Sequence, residues 1–164
     1  KRSAERGFTL VEIMIVVAII ALLAAIAIPN VLRGRTTANE SASIGNVRAL
    51  ISSLEMYRSV NNVYPTTWVQ MSGAVPAFSP PSFAASLLTP GAVVQGFTYV
   101  YTPVGTPVNA YTLTATPQTA GTTGTRAFLA TQAGTIQHCG PVTQGQVPDG
   151  TGDVTIDAPA GACP

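Results

Sequence analysis

The chain has 164 residues and a mass of 16.9 kDa, enough for one domain with an additional segment. Charged residues make up 9 % and the net charge is +1, which excludes a charge-rich disordered chain and a basic nucleic-acid-binding surface. One histidine and two cysteines are too few for a zinc site or an iron–sulfur cluster, so we expect no such cofactor.

An apolar helix is the first predicted element. Residues 1–7 (KRSAERG) are basic, and residues 8–28 contain a single charge, Glu12. As a helix this run is about 30 Å long, the thickness of the hydrocarbon core of a bilayer. The basic flank predicts that the N-terminus lies in the cytoplasm. A secretory signal peptide fits less well, because its apolar core is usually only about 7–15 residues long.

Glu12 is not explained by a simple membrane anchor. A carboxylate within a membrane helix costs roughly 2.5–3.5 kcal/mol and usually has a partner. The apolar residues after it offer none. We therefore expect the partner to come from another chain, from the N-terminus or from the lipid boundary.

The segment GFTLVEIMIVVAIIALLAAIAIPN resembles the start of the type IV prepilin family. Members have a short basic leader ending in Gly, then Phe, and Glu as the fifth mature residue. An aliphatic run follows, with a Pro near its end. Gly7, Phe8, Glu12 and Pro29 occupy these places at matching spacing, and the similarity covers about residues 1–60.

The resemblance implies that a prepilin peptidase cuts between Gly7 and Phe8 and methylates the new amine of Phe8. Glu12 would pair with the Phe8 amine of a neighbouring subunit during assembly. The physics agrees, because cleavage creates a cation where an apolar bundle makes a carboxylate partner valuable. Before cleavage this nitrogen is a neutral peptide group, so processing would control assembly.

Four segments follow from this interpretation. They are a leader (1–7), a transmembrane or filament-core helix (8–30), an amphipathic second half of the helix (31–61) and a β-rich head (62–164). Pro29 predicts a helix kink, since it lacks an N–H and clashes with the preceding turn.

In the second half of the helix, apolar side chains recur every three or four residues and predict a stripe that packs on a sheet. The members of this stripe are Ile44, Val47, Leu50, Ile51, Leu54 and Tyr57.

The remaining residues predict a sheet. Alternating, Thr-rich segments at 97–102, 110–116, 126–131 and 135–138 are typical of strands separated by turns, with a further signal at 153–156. Residues 61–95 are interpreted as an ordered loop with a short helix at 83–88. The predicted fold is therefore α+β, a long N-terminal helix packed against a three- or four-stranded antiparallel sheet.

Cys139 and Cys163 are interpreted as a disulfide that closes a C-terminal loop, if this part of the chain lies outside the cytoplasm. Asp149, Asp153 and Asp157 form the one acidic cluster. Oxygen ligands at alternate positions are what a calcium loop uses, but the full pattern is missing and a solvated turn is the commoner arrangement. The main expectation is that the chain binds no metal or other cofactor.

The sequence favours a structural subunit of a type IV pilus and not an enzyme. Such a subunit would form a homopolymer for adhesion, motility or DNA uptake. It would start in the inner membrane and end in an extracellular filament, after contact with the peptidase and an assembly machinery. One alternative is a pseudopilin of a type II secretion system, acting in the periplasm. Another is a single-pass envelope protein whose C-terminal region binds a ligand, with Gly7–Phe8 uncut.

Overall fold

The computed structural model describes residues 7–73, 77–80, 83, 93–150, 154–155, 161 and 163. The chain divides into two compact units, Lys1–Arg35 and Thr36–Pro164. Within the described residues the helices are α1 (Leu10–Asn61) and α2 (Val69–Ser72). The strands are β1 (Val93–Val94), β2 (Phe97–Val104), β3 (Ala110–Pro117), β4 (Ala127–Thr131), β5 (Ile136–Cys139) and β6 (Val154–Thr155).

The first unit contains the N-terminal part of α1, in which the large apolar side chains stand exposed. Its most apolar window has a mean hydropathy of 3.0 with no part buried in the chain, and α1 is the one described helix long and apolar enough to cross a membrane. The helix runs through Pro29 without a break in its assignment. At the next residue, the Asn30 side-chain amide donates to the Ile26 carbonyl at 3.1 Å. The kink at Pro29 stays a prediction.

The predicted stripe of α1 is confirmed as the helical side of the core. Val47, Leu50 and Leu54 are fully buried, and they join aromatic residues of the sheet in one cluster. The other predicted stripe residues, Ile44, Ile51 and Tyr57, are partly buried against the same cluster. The apolar face of an amphipathic helix thus covers one face of the sheet, as its spacing predicts.

The sheet is an antiparallel meander of six strands in chain order. All four principal predicted strands are present, and the α+β fold class is confirmed. The strand count is higher than the predicted three or four, because β1 and β6 extend the two edges with two residues each. In β2 and β3 buried and more exposed residues alternate, so Tyr99 and Leu113 face α1 while Thr98 and Thr114 lie on the opposite face.

The loop after α1 packs into the core through single side chains. Trp68, Met71 and Phe83 are buried there, and the four-residue helix α2 lies within this loop, which sequence analysis missed. The predicted helix at 83–88 lies outside the described residues except for Phe83. The Tyr64 hydroxyl donates to Glu55 at 2.5 Å and accepts from Arg58 Nη1 at 3.0 Å. Burial, followed by the hydrogen bond to the Glu55 carboxylate, raises the pKa of Tyr64.

A buried carboxylate joins α1 to the loop before β4. Glu40 is 6 % exposed, and its Oε1 accepts from the Thr125 backbone N–H at 2.7 Å and from the Thr125 hydroxyl at 2.8 Å. Arg126 Nε donates to Glu40 Oε2 at 2.9 Å. Burial by itself pushes the pKa of Glu40 up, but these hydrogen bonds outweigh it and hold the pKa below its usual value.

The segment after β5 folds back over the sheet face opposite α1. We call residues 140–150 the strap. It begins directly after Cys139, whose disulfide with Cys163 confirms the predicted pairing. The Val142 N–H ties the strap to the loop before β4 by donating to the Thr125 carbonyl at 2.9 Å. Gly140 cannot carry a side chain here, because a Cβ would lie 2.9 Å from the Thr125 carbonyl oxygen.

We expect Glu40→Gln to lower the free energy of unfolding by about 2–3 kcal/mol at neutral pH, because it breaks an ion pair whose carboxylate is buried and places an amide N–H against a donor, either Arg126 Nε or the Thr125 N–H. Since the folded state lowers the pKa of Glu40, its contribution is present above the ordinary value of 4.5 and is lost as pH falls below it. The deficit of the variant should shrink over the same range. Urea unfolding of the full chain in micelles, followed by Trp68 fluorescence, measures this.

Glu55→Gln is the matched control, because Glu55 is exposed and the substituted amide still has an oxygen that can accept the hydrogen bond from the Tyr64 hydroxyl. Equal stabilities of wild type and Glu40→Gln at neutral pH would contradict the assignment of this ion pair.

We expect the double variant Cys139→Ser, Cys163→Ser to unfold with a free energy about 3 kcal/mol lower, because the bridge closes a loop between residues separated by 24 positions. Under reducing conditions wild type and variant should unfold alike. A difference that persists in reductant would show that the serines, and not the lost bridge, cause the effect.

The helix N-terminus as a candidate assembly site

The predicted cleavage position lies just ahead of α1. Residues 7–9 have no regular structure, and the helix begins at Leu10. Phe8 is 85 % exposed, and nothing approaches the Cβ position of Gly7 within 4 Å. None of the described residues therefore shields the Gly7–Phe8 peptide bond, and a protease can reach it without unwinding the helix.

Glu12 and Thr9 form a capping box at the start of α1. The Thr9 backbone N–H and hydroxyl each donate to Glu12 Oε2 at 2.8 Å. In return the Glu12 N–H donates to Thr9 Oγ1 at 3.2 Å. Thr9 is thus the N-cap and Glu12 the third helical residue, the reciprocal arrangement that satisfies free N–H groups at a helix start. The positive end of the helix dipole favours the carboxylate in this place.

The expectation that Glu12 has a partner from another chain, from the N-terminus or from the lipid boundary stays a prediction. Sequence analysis missed the hydrogen bonds from Thr9, because it considered only cations and only the residues after Glu12. The Thr-x-x-Glu spacing itself was a readable signal. The hydrogen bonds of the described residues reach only Oε2, so Oε1 is left for a further donor. Neutral donors also leave the negative charge in place, and the need for a cation remains.

The surface around this carboxylate is apolar on all sides of the helix. The exposed side chains include Leu10, Val11, Met14, Ile15 and Leu22, each at least half exposed. Burying one such side chain contributes roughly 1.5–3 kcal/mol. Lipid tails or the helices of other copies can provide that cover, and in either environment a cation beside Glu12 Oε1 is stabilising.

The remaining predicted sites stand apart from this one. Cys139 and Cys163 are bonded to each other. Asp149 lies at the end of the strap, while Asp153 and Asp157 lie outside the described residues. Among the residues that the structure describes, no group of three or more His, Cys, Asp or Glu side chains is placed to hold a metal ion.

Comparison with known protein families identifies the same N-terminal segment as the characteristic part of the chain. The model of the prokaryotic N-terminal methylation motif matches residues 2–28. The type II secretion system core protein G of Escherichia coli is 38 % identical over 82 residues, or 50 % of this chain and 57 % of that protein. The proteins of the same name from Klebsiella michiganensis and Pseudomonas aeruginosa are 40 % and 39 % identical over 67 residues, or 41 % of this chain and 47 % of each of them.

The chain spans about half the length of the curated relatives that it matches. No solved structure matches it. The N-terminal methylation motif ahead of a capped apolar helix and the α+β fold are pilin-like features of this chain. Its matched part is similar to type II secretion pseudopilins, and its N-terminal helix is long and apolar enough to cross a membrane.

We expect Thr9→Val to weaken the start of α1 by about 1 kcal/mol, because it removes the hydroxyl that bonds both Glu12 groups. Amide hydrogen exchange of residues 11–13, measured by NMR in micelles, should then accelerate about fivefold. Thr9→Ser retains the hydroxyl and should exchange like wild type. Equal exchange in Thr9→Val and Thr9→Ser would contradict the capping role of the side chain.

Proposed function

We propose that this chain is a pseudopilin, a structural subunit of a type II secretion apparatus and not an enzyme. The observation that carries the proposal is the Gly7–Phe8 bond ahead of an exposed apolar helix whose Glu12 is capped but not neutralised. Relatives from several organisms are named type II secretion system core protein G, and this supports secretion over the pilus that the sequence favoured.

The mechanism follows from the charges at the helix start. A prepilin peptidase cuts between Gly7 and Phe8 and methylates the Phe8 nitrogen, which becomes a cation. That amine on one subunit pairs with Glu12 Oε1 on a neighbour, while Thr9 holds Oε2 in place. The apolar helices then leave the inner membrane and pack together, and the assembled piston extends into the periplasm.

A pilus subunit for adhesion, motility or DNA uptake is the second candidate. Two observations favour it. The curated relatives match only about half of this chain or less, so their likeness does not extend to the rest of it. The disulfide that closes the C-terminal loop also suits a subunit that leaves the cell. In that case the same subunit contacts would build an extracellular filament.

Glu12→Gln tests the assembly step. The amide retains an oxygen for Thr9 but cannot neutralise the Phe8 amine, so we expect normal cleavage and methylation but loss of assembly. Leaving a buried charge unpaired costs about 3 kcal/mol or more per subunit, which is over a hundredfold in an equilibrium constant. Intact mass and N-terminal analysis of each cell fraction measure processing, and crosslinking of neighbouring subunits measures assembly.

Glu55→Gln serves as the control, because it removes a carboxylate from the same helix outside the apolar segment. Wild-type assembly of Glu12→Gln would contradict the mechanism, and a working protein with its leader intact through Gly7 would overturn the filament interpretation. The fraction that contains the processed protein separates the two candidates. Sheared surface material indicates a pilus, whereas the membrane fraction alone indicates a pseudopilin.

A further inference from the structure

Threonine hydroxyls form a paired array on the sheet face opposite α1. Across β2 and β3, Thr102 lies opposite Thr112, Val100 opposite Thr114, and Thr98 opposite Thr116. Neighbouring strands are about 4.8 Å apart and alternate residues about 7 Å apart, so the hydroxyls stand in a regular grid. The core lies on the other face, so packing of the helix does not account for these threonines.

The strap turns one side of this grid into a groove. Val147, Pro148 and Asp149 form one wall above the threonines, and the groove has a volume of about 420 Å³. Leu129 lies beneath the strap and is only 3 % exposed, although it belongs to the outer face. A Cβ on Gly150 would lie 3.4 Å from its Cδ2, so the wall fits closely at this end.

The hydroxyls of the grid are available for a ligand. Within the described chain, the side chains of Thr102, Thr112, Thr114 and Thr116 have no hydrogen-bond partner, and all four line the groove. Each hydroxyl can donate one hydrogen bond and accept two. The backbone groups around them are used in the β2–β3 ladder. The polar character of the groove is therefore that of side-chain hydroxyls.

Charge limits the kind of ligand. Of the described lining residues, the one charged side chain is Asp149, and none is a cation. A phosphate, a nucleic acid or an acidic sugar would therefore meet no positive partner and a negative wall. A hydrocarbon would leave the hydroxyls without partners, which is unfavourable. The ligand that remains is neutral, rich in hydroxyls, and apolar on one face.

We propose that this groove binds a neutral saccharide unit. Sugar hydroxyls both donate and accept, as the threonines do, while Val100 and the half-exposed Val147 offer an apolar surface to the C–H groups of a ring. The volume lies within the range of about 300–1,000 Å³ that is common for small-ligand sites. No described lining residue is aromatic, so we expect millimolar affinity. The proposal is independent of the assembly role.

The test uses the full chain in phosphocholine micelles, which contain no sugar, and saturation-transfer NMR with cellobiose, maltose and glucuronate as probes. Cellobiose or maltose should show transfer at its C–H protons, and glucuronate should not. The double variant Thr112→Val, Thr114→Val should bind at least about tenfold more weakly, since it lacks two hydroxyls that bond the sugar. Valine suits a strand, and Trp68 fluorescence checks the fold.

Thr122→Val, an exposed threonine in the loop before β4, is the matched control and should bind like wild type. Absence of transfer to both neutral disaccharides would overturn the proposal, as would equal binding by wild type and the double variant. A change in self-association in the double variant, seen by sedimentation, would show that another copy occupies the groove and would also overturn it. None of these results bears on cleavage at Gly7 or on assembly through Glu12.

Discussion

A helix that is apolar around its whole circumference has to be covered by something other than water, and the first part of α1 places that demand on this chain. Its large side chains are exposed, and none of the residues that the structure describes covers its most apolar window. The carboxylate of Glu12 adds an opposite demand in the same place, since a negative charge in apolar surroundings needs a cationic partner. Lipid meets the first demand alone. In the proposed assembly a bundle of processed subunits would meet both, because each would bring an amine together with its apolar side chains.

The later part of α1 meets the same physical problem within its own unit. Val47, Leu50 and Leu54 are covered by the sheet, and the carboxylate of Glu40 is neutralised by Arg126. One helix thus shows two ways of satisfying apolar side chains and an acid. In the later part of α1 both are satisfied within the folded chain, whereas the first part needs other molecules to cover its apolar side chains and to pair with Glu12. The later part therefore stabilises the fold, and the first part is a surface suited to assembly.

Local patterns in the sequence predicted those elements that are long enough to display a period. The stripe of α1 and the strands from Phe97 to Cys139 fall in this class, and the disulfide followed from having only two cysteines. Strands β1 and β6 were beyond this reasoning, because two residues show no alternation and their pairing depends on neighbours in space. The Glu40–Arg126 pair joins residues 86 positions apart and has no local signal. The Thr9–Glu12 box was readable but was passed over in the search for a cation.

The ion pair of Glu40 with Arg126 also determines how the sheet-bearing part of the chain responds to salt. Beyond α1 the sequence has only four charged side chains, Arg126, Asp149, Asp153 and Asp157, and Glu40 neutralises the first of these. Two such surfaces brought side by side have little Coulomb repulsion to overcome, so screening by ions has little to remove. Their solubility depends instead on hydroxyl and amide groups, which resist self-association less well than net charge does. Lateral contacts between these surfaces should therefore be nearly indifferent to the salinity of the surroundings.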